Sequence, residues 1–456
     1  MKLCIVIWRN DLEGFGARCT SLPGCVVSAP TEQQARTKLE EAIRAYLASV
    51  GDFIPEGTRV LERIELGPGE DRLPEAQPLA FERAGAREQL YFEPSQSKAA
   101  IVTAGGLCPG LNNVIRSTYF HLRANYGVPQ VLGIRYGYQG LNPAAGESPV
   151  LLTDEMVEEI HEIGGTILGS SRGEHPPQVM VDFLEREAVN LLFCVGGDGT
   201  QRGAHAIAVE AARRKLPLAV VGIPKTIDND IPHVWRSFGF ATALEKAREH
   251  ITGAHNEARG APNGVGVVKL MGRNAGFIAA GATLTSGNVN FTLIPEVPLR
   301  LDGDDGFLAK LRRRVKARGH AVVVVAEGAG QDLLAGETKQ YDASGNAKPA
   351  DIGTFLRERI ALDFRRHEMP VNVKYFDPSY HIRSMAANAD DSLLGDQFAR
   401  YAVDAALAGK TDMLVGLMHN LFIHVPLPLV TSCKKTVSPE SDLWIGVTSC
   451  TGQDRW

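Results

Sequence analysis

Leu191–Val195, LLFCV, is an unbroken apolar run of the length expected for a strand buried on both faces of a parallel sheet. It passes directly into Gly196-Gly197-Asp198-Gly199-Thr200 and then into a helix-forming stretch rich in Ala, Glu and Arg. A second apolar run, Leu218–Ile223, leads into Pro224-Lys225-Thr226-Ile227-Asp228-Asn229-Asp230. Upstream, Ala99–Thr103 and Val131–Ile134 read as strands, separated by a helix from Asn112 to about Asn125. Asp154–Ile163 sets Val157, Ile160 and Ile163 at helical spacing, which predicts another helix. Gly164–Ser171 is expected to return as strand and loop to Arg172. This alternation predicts an α/β fold with a doubly wound parallel sheet.

The first sixty residues follow a different pattern. Lys2–Trp8, Gly14–Cys19 and Gly24–Ser28 read as three short strands. Thr31-Glu-Gln-Gln then opens a helix through Ala48, with Ala35, Leu39, Ile43 and Tyr46/Leu47 on one face. This βββα order, with Leu22-Pro23-Gly24-Cys25, predicts a small N-terminal α+β domain over 1–60 and resembles HicB-type antitoxin domains. The resemblance implies a binding partner, or a neighbouring DNA-binding module, but no such module follows here. An accessory domain for packing, oligomerisation or regulation is the alternative reading. Residues 61–95, rich in Pro, Glu and Gly, are expected to be a linker.

Composition narrows the class. A chain of 456 residues is long enough for two or three domains with large cores. A net charge of −5 leaves no electrostatic footprint for nucleic acid, and the basic run Arg312–Arg318 lacks the interleaved aromatics that such binding uses. With 44% hydrophobic and 22% charged residues and no apolar run of spanning length, no membrane is expected as a partner. Seven cysteines with no CxxC pair indicate reduced thiols and a cytoplasmic location. Cys108 and Cys194 are expected to pack rather than react, and His205, His250 and His255 lack metal-ligand spacing.

The chemistry is concentrated where the apolar runs end. A glycine-rich turn between strand and helix lets backbone amides approach an anion, and the helix N-terminus favours negative charge. Asp198 within such a turn suits a Mg²⁺ that accompanies phosphate groups. The second run delivers Lys225, Thr226, Asp228 and Asp230 to the same edge of the sheet, where open α/β sheets bind ligands. One carboxylate for a metal, another for a hydroxyl proton and a cation for phosphoryl oxygens together point to phosphoryl transfer. Ala104–Asn112, AGGLCPGLN, lacks the GK[ST] of a Walker loop but is a further strand–Gly–helix turn able to hold phosphate.

GGDGT alone occurs in several unrelated kinases, and a plain surface turn is its bland alternative. The ordered series TAGGLCPGLN, GIRYGYQGL, GGTILGSSRG, GGDGTQRGAH, PKTIDND, MGRNAGFIA, Glu327 in VVAEGAG and Tyr380-His-Ile-Arg383 is far more specific. From Gln96 onward it resembles the phosphofructokinase family, in particular its longer ATP-dependent branch of plants, kinetoplastids and some bacteria. The resemblance implies two doubly wound, Rossmann-like α/β domains. These are a nucleotide-binding domain over 96–239, completed by part of 382–456, and a fructose 6-phosphate-binding domain over 240–381.

It further implies Asp228 as general base, Thr226 and Lys225 beside the transferred phosphoryl group, and Arg172 bridging nucleotide and sugar phosphates. Gly106, Tyr138, Gly197, Asp198, Gly199 and Thr200 fall at nucleotide positions, with Asp198 and Asp230 serving Mg²⁺. Met271, Gly272, Arg273, Glu327, Lys374, Tyr380 and Arg383 fall at sugar-phosphate positions. Gly264 stands where short bacterial enzymes have an inter-subunit arginine, so the cross-subunit part of the site differs, while a homo-oligomer is still implied. Arg116 aligns with an effector-pocket arginine of those enzymes. Gly199 favours ATP as donor, because an Asp there would crowd and repel a nucleotide α-phosphate; Lys225 is the residue that pyrophosphate-using members share. A pyrophosphate-dependent enzyme and a non-catalytic sugar-phosphate-binding subunit are the alternatives.

Overall fold

A computed structural model describes residues 5–10, 14–19, 26–49, 81–145, 147–173, 175–334 and 349–453. The chain divides into two compact units, Met1–Pro78 and Leu79–Trp456. In the first, Ile5–Asn10, Gly14–Cys19 and Val26–Ala29 form a three-stranded antiparallel sheet in sequential order. The helix Glu32–Ser49 buries Ala35, Leu39 and Ile43 against Ala17 and Ala29 of that sheet. The expected strand residues Lys2–Cys4, and Leu22–Cys25 of the HicB-like motif, lie outside the described residues.

The second unit holds two sheets. Five parallel strands form the centre of the larger one, in the order Met413–Met418, Ala219–Pro224, Leu191–Gly196, Lys98–Thr103, Gln130–Ile134. Antiparallel strands Leu421–Pro426 and Val150–Leu151 flank them, and Glu82–Arg83 pairs outside Leu421–Pro426. Of the expected linker 61–95, residues 61–80 lie outside the described residues, and Glu82–Arg83 are already part of this sheet. The strands Leu191–Gly196 and Ala219–Pro224 are buried at every residue, as a layer covered by helices on both faces requires.

Counted along the chain, the five parallel strands have the order 2-1-3-4-5, so the winding reverses between Lys98–Thr103 and Leu191–Gly196. Connections leave that point in opposite directions and open a crevice at the carboxyl ends of the strands. The smaller sheet is wholly parallel, in the order Phe291–Leu293, His320–Ala326, Gly264–Leu270, Asn372–Phe376. It has its own apolar core, built from Val265, Val267, Phe307, Leu311, Val323, Leu356 and Phe364 among others.

Two local expectations change. The helix expected over Asp154–Ile163 stops at Val157, and a separate single turn covers Ile160–Glu162. Like charges at Glu155/Glu159 and Glu158/Glu162 fall one turn apart, which weakens a continuous helix. Gly164–Ser171 forms no strand. It is instead tied to the sheet by Thr103 Oγ1, which donates to the Gly169 carbonyl at 2.9 Å, and by Tyr136 N, which donates to the Leu168 carbonyl at 2.9 Å. This irregular path carries Arg172 back over the strand ends.

Candidate active site

At the winding reversal, the turn after Lys98–Thr103 requires glycine. Gly105 has φ +87°, and a side chain there would meet the Lys225 ammonium at 3.2 Å. Lys225 follows the strand Ala219–Pro224 and is buried, and its Nζ donates to the Gly106 carbonyl at 2.7 Å. One cation thus ties two of the glycine-rich turns together. Burial pushes the Lys225 ammonium below the usual lysine range, with Arg172 adding to the effect and Cys108, Asp230 and Asp228 opposing it. A Cβ placed on Gly106 would lie 3.4 Å from Arg172 Nη2 and 3.8 Å from Arg383 Nη1. Two guanidinium groups from distant parts of the chain therefore converge on one point of the crevice.

The turn after Leu191–Gly196 starts the helix Asp198–Arg213 with Gly197 as its N-cap, so the amides at its first turn point toward the crevice. Thr200 is buried under Gly196, and its carbonyl accepts from the Tyr138 hydroxyl at 2.6 Å. Tyr138 is itself buried, and a side chain on Gly203 would strike its ring. Its place is behind the Gly197–Thr200 turn, where it braces the helix start. Tyr138→Phe is expected to lower stability by about 1 kcal/mol through that lost buried hydrogen bond, read as a fall in Tm on thermal unfolding. Asp198 points outward, 39% exposed, and accepts from Arg202 Nη1 at 2.5 Å, one turn along the helix. The i,i+4 spacing of Arg202 from Asp198 is the sequence signal for this pair.

Past Lys225 the chain makes a compact acidic loop. Thr226 Oγ1 donates to Asp230 Oδ1 at 2.9 Å and accepts from the Asp228 backbone N–H at 3.1 Å. Asp228 as a whole is half-buried, yet its Oδ1 is sealed from solvent and meets no hydrogen-bond donor of the protein. Burial, then the facing carboxylates of Asp230 and Glu327, raise its pKa well above the usual carboxylate range, against the pull of Arg273 and Lys225. Arg273 and Glu327 belong to the smaller sheet, so the strand ends of both sheets face Asp228.

On that side, Gly272 takes φ +129°, and its carbonyl accepts from Gly328 N at 3.1 Å. This stacks the Met271–Arg273 turn on the Glu327 turn. Glu327 is raised by burial and pulled back chiefly by Arg273. The short helix Ser379–Arg383 sets the Arg383 guanidinium 4.6 Å over the ring of Tyr380, which is 75% exposed. Lys374 is not brought to this cluster. It pairs in register with Gly266, well below the strand's carboxyl end, and its ammonium, 43% exposed, lies 3.5 Å from Glu257. The lysine on this side, beside Arg273 and Arg383, is Lys269, held 2.8 Å from Asp377 and 3.3 Å from Asp351. A lone lysine near the end of the apolar strand VGVVKL was its sequence signal. Among the described residues, no group of three or more His, Cys, Asp or Glu side chains is arranged to hold a metal ion. Arg116 sits apart, its Nε donating to the Glu158 carbonyl at 2.9 Å.

Residues 98–406 match the family model described as phosphofructokinase. The chain belongs to the phosphofructokinase family. It is 45% identical over 416 residues to the ATP-dependent 6-phosphofructokinase of Borreliella burgdorferi, covering 90% of this chain and 93% of that one. Identity to the enzyme of the same description from Amycolatopsis methanolica is 46%, over 88% of this chain and 89% of the other. For the Trypanosoma brucei brucei enzyme it is 45%, over 84% and 79%. Among solved structures, the fold is similar to a pyrophosphate-dependent phosphofructokinase from Marinobacter aquaeolei (TM-score 0.63, 21% identity, 76% of this chain and 88% of that one). It is also similar to the Pichia pastoris phosphofructokinase (TM-score 0.61, 22% identity, 86% of this chain and 41% of that one). At these identities the structural likeness bears on the phosphofructokinase fold alone.

Proposed function

We propose that this chain is an ATP-dependent 6-phosphofructokinase, which moves the γ-phosphoryl group of MgATP to the 1-hydroxyl of fructose 6-phosphate. The observation that carries the chemistry is Asp228: a carboxylate of raised pKa, sealed on one oxygen, between the ends of two sheets. Its Oδ atom takes the hydroxyl proton as the sugar oxygen bonds to the γ-phosphorus. The bond from that phosphorus to the β-phosphate bridging oxygen breaks, and ADP leaves with those electrons. Arg172 and the amides of the Gly197–Thr200 turn receive the charge on the phosphoryl oxygens. Lys225 fixes the Gly106 turn and adds a cation beneath it. Thr226 orders the acidic loop, its hydroxyl bonded both to Asp230 and to the Asp228 amide.

Magnesium suits the donor set as a passenger of the nucleotide. Mg²⁺ is commonly held by one or two carboxylates plus substrate phosphates, and Asp198 and Asp230 are the carboxylates that would reach it. When bound there, the ion would supply positive charge to offset that of the phosphate groups. For the sugar, Arg273 and Arg383 receive the 6-phosphate, Glu327 accepts from sugar hydroxyls, and Tyr380 with Met271–Gly272 walls the pocket. Gly106 and Gly199 leave room for the nucleotide, and Tyr138 supports their turn from behind. A homo-oligomer is part of this reading, with Lys374, on the edge strand and paired with Glu257 in its own chain, serving the sugar phosphate of a second copy. The βββα unit serves as an accessory interaction domain of HicB type. No helix of the described residues is long and apolar enough to cross a membrane, and the cysteines without a CxxC pair support a cytoplasmic location.

A coupled assay for fructose 1,6-bisphosphate, with ATP and pyrophosphate supplied separately, tests the reading. Turnover with ATP and little with pyrophosphate is expected, and the reverse preference would overturn the donor assignment.

A further inference from the structure

The acidic loop is closed on itself by hydrogen bonds. Ser237 Oγ donates to the Thr226 carbonyl at 2.7 Å, Ser237 N to Asn229 Oδ1 at 3.0 Å, and Asn229 Nδ2 to the Trp235 carbonyl at 3.2 Å. At its far end stands a side chain from near the other end of the sequence. Lys435 Nζ donates to the Val234 carbonyl at 2.7 Å and to the Trp235 carbonyl at 3.1 Å, and lies 5.0 Å over the ring of Phe277. Two residues on, Val437 N donates to Glu296 Oε1 at 2.7 Å. The same carboxylate accepts from Gly276 N at 2.9 and 3.1 Å. Gly276 caps the helix Phe277–Ser286 and follows Arg273 by three residues.

Residues 435–437 therefore fasten a loop of the larger sheet to a turn of the smaller one. The first carries Asp228 and Asp230, the second Arg273. A lysine on a surface loop would ordinarily leave its head group in water. Here the head group is turned inward onto two main-chain carbonyls and an aromatic face.

We infer that Lys435 is a positioning residue for phosphoryl transfer, its charge holding the Asp228–Asp230 loop in register with the Arg273 turn. This rests on the proposed role of Asp228. A positioned base must stay within hydrogen-bond reach of its proton, so a small drift of the loop costs rate more than ligand affinity.

The charge itself is adjustable. Burial lowers the Lys435 ammonium to about 8, with Asp230 opposing the shift. Asp230 on the acidic loop is the charged group facing it; Phe277 from the neighbouring helix is neutral, and Glu296 meets the strap through the Val437 amide. As pH rises through that value the ammonium loses its proton. The neutral amine can still donate to a carbonyl, but the attraction to Asp230 and to the ring face is gone. Turnover should fall along the same limb.

The experiment compares the parent chain with Lys435→Met and Lys435→Arg, full length. At neutral pH, Lys435→Met should lower kcat about tenfold while KM for ATP changes less than about twofold, and its alkaline limb should vanish. Lys435→Arg, charged throughout, should keep more than about half of kcat and remain active past the parent's limb. Amide exchange of segment 226–237 should quicken in the Met variant and not in the Arg variant, a readout independent of turnover. An unchanged kcat or an unchanged limb in Lys435→Met, equal losses in both variants, or unaltered exchange would overturn the inference. Absence of sugar kinase activity in the parent chain would instead overturn the proposed function, with the exchange comparison still deciding whether the strap holds the loop.

Discussion

Asp228→Asn is expected to lower kcat by about 10²–10⁴-fold, the usual contribution of a positioned general base, while KM for ATP and sugar phosphate shifts little. The substitution keeps the shape of the side chain, so the loop bonds from Thr226 and the Asp228 amide have no reason to move. The same change should raise stability. In the folded chain the carboxyl pKa lies well above the ordinary value of 3.8, so above the folded pKa the charged form opposes folding. As pH falls through that raised pKa, the penalty fades. The Asn variant should therefore unfold at a higher temperature than the parent at neutral pH and match it in acid. Faster turnover is thus traded against a strained site, and calorimetry at two pH values reads the trade. In the parent, kcat/KM should fall on the acid side with a limb lying above the ordinary Asp range.

Gly199→Asp is the second large effect. The site has room for the new side chain: a Cβ on Gly199 meets no heavy atom closer than Arg202 Nη2, at 3.9 Å. The fold should accept it, with little change in Tm. MgATP should not. A carboxylate about 4 Å from an α-phosphate costs roughly 4 kcal/mol at an effective dielectric of about 20, which is about 10³-fold in kcat/KM for ATP. Pyrophosphate, which has no α-phosphate at that point, should be spared. Steady-state kinetics with each donor reads the difference. An equal loss for both donors would mean that the variant damages the turn rather than selects against the nucleotide.

Four strands of the larger sheet, Ala99–Thr103, Val131–Ile134, Leu191–Val195 and Leu218–Ile223, were legible because each is a short apolar run, whereas Met413–Met418, the flanking antiparallel strands and the charged pair Glu82–Arg83 were not read from the sequence. Leu191–Val195 and Leu218–Ile223 differ from the observed strands by a residue at most at either end. Loop paths were harder to read. Gly164–Ser171 has strand-like residues, but long-range hydrogen bonds from Thr103 and Tyr136, not its own pattern, decide its course. Local charge spacing ended the helix at Val157, a feature that apolar periodicity alone passes over.

Within the site, residues at the carboxyl ends of strands were readable because chain position there dictates spatial position. Asp228, Lys225 and Arg273 are of this kind. Lys374 sits mid-strand, paired in register with Gly266 rather than at the carboxyl end where the cluster forms. Lys435 lies in a loop with no periodicity and some two hundred residues from its partners Val234 and Trp235, so nothing local announces it. Tyr138 illustrates the converse: a motif residue whose hydroxyl goes to the Thr200 carbonyl.

The most direct test is a crystal structure with fructose 6-phosphate and a non-hydrolysable MgATP analogue bound. An Asp228 carboxylate oxygen should lie about 2.6–3.2 Å from the sugar 1-hydroxyl, with that hydroxyl in line with the γ-phosphorus. A sugar bound with its 1-hydroxyl against some other side chain, and Asp228 facing away from it, would contradict the account.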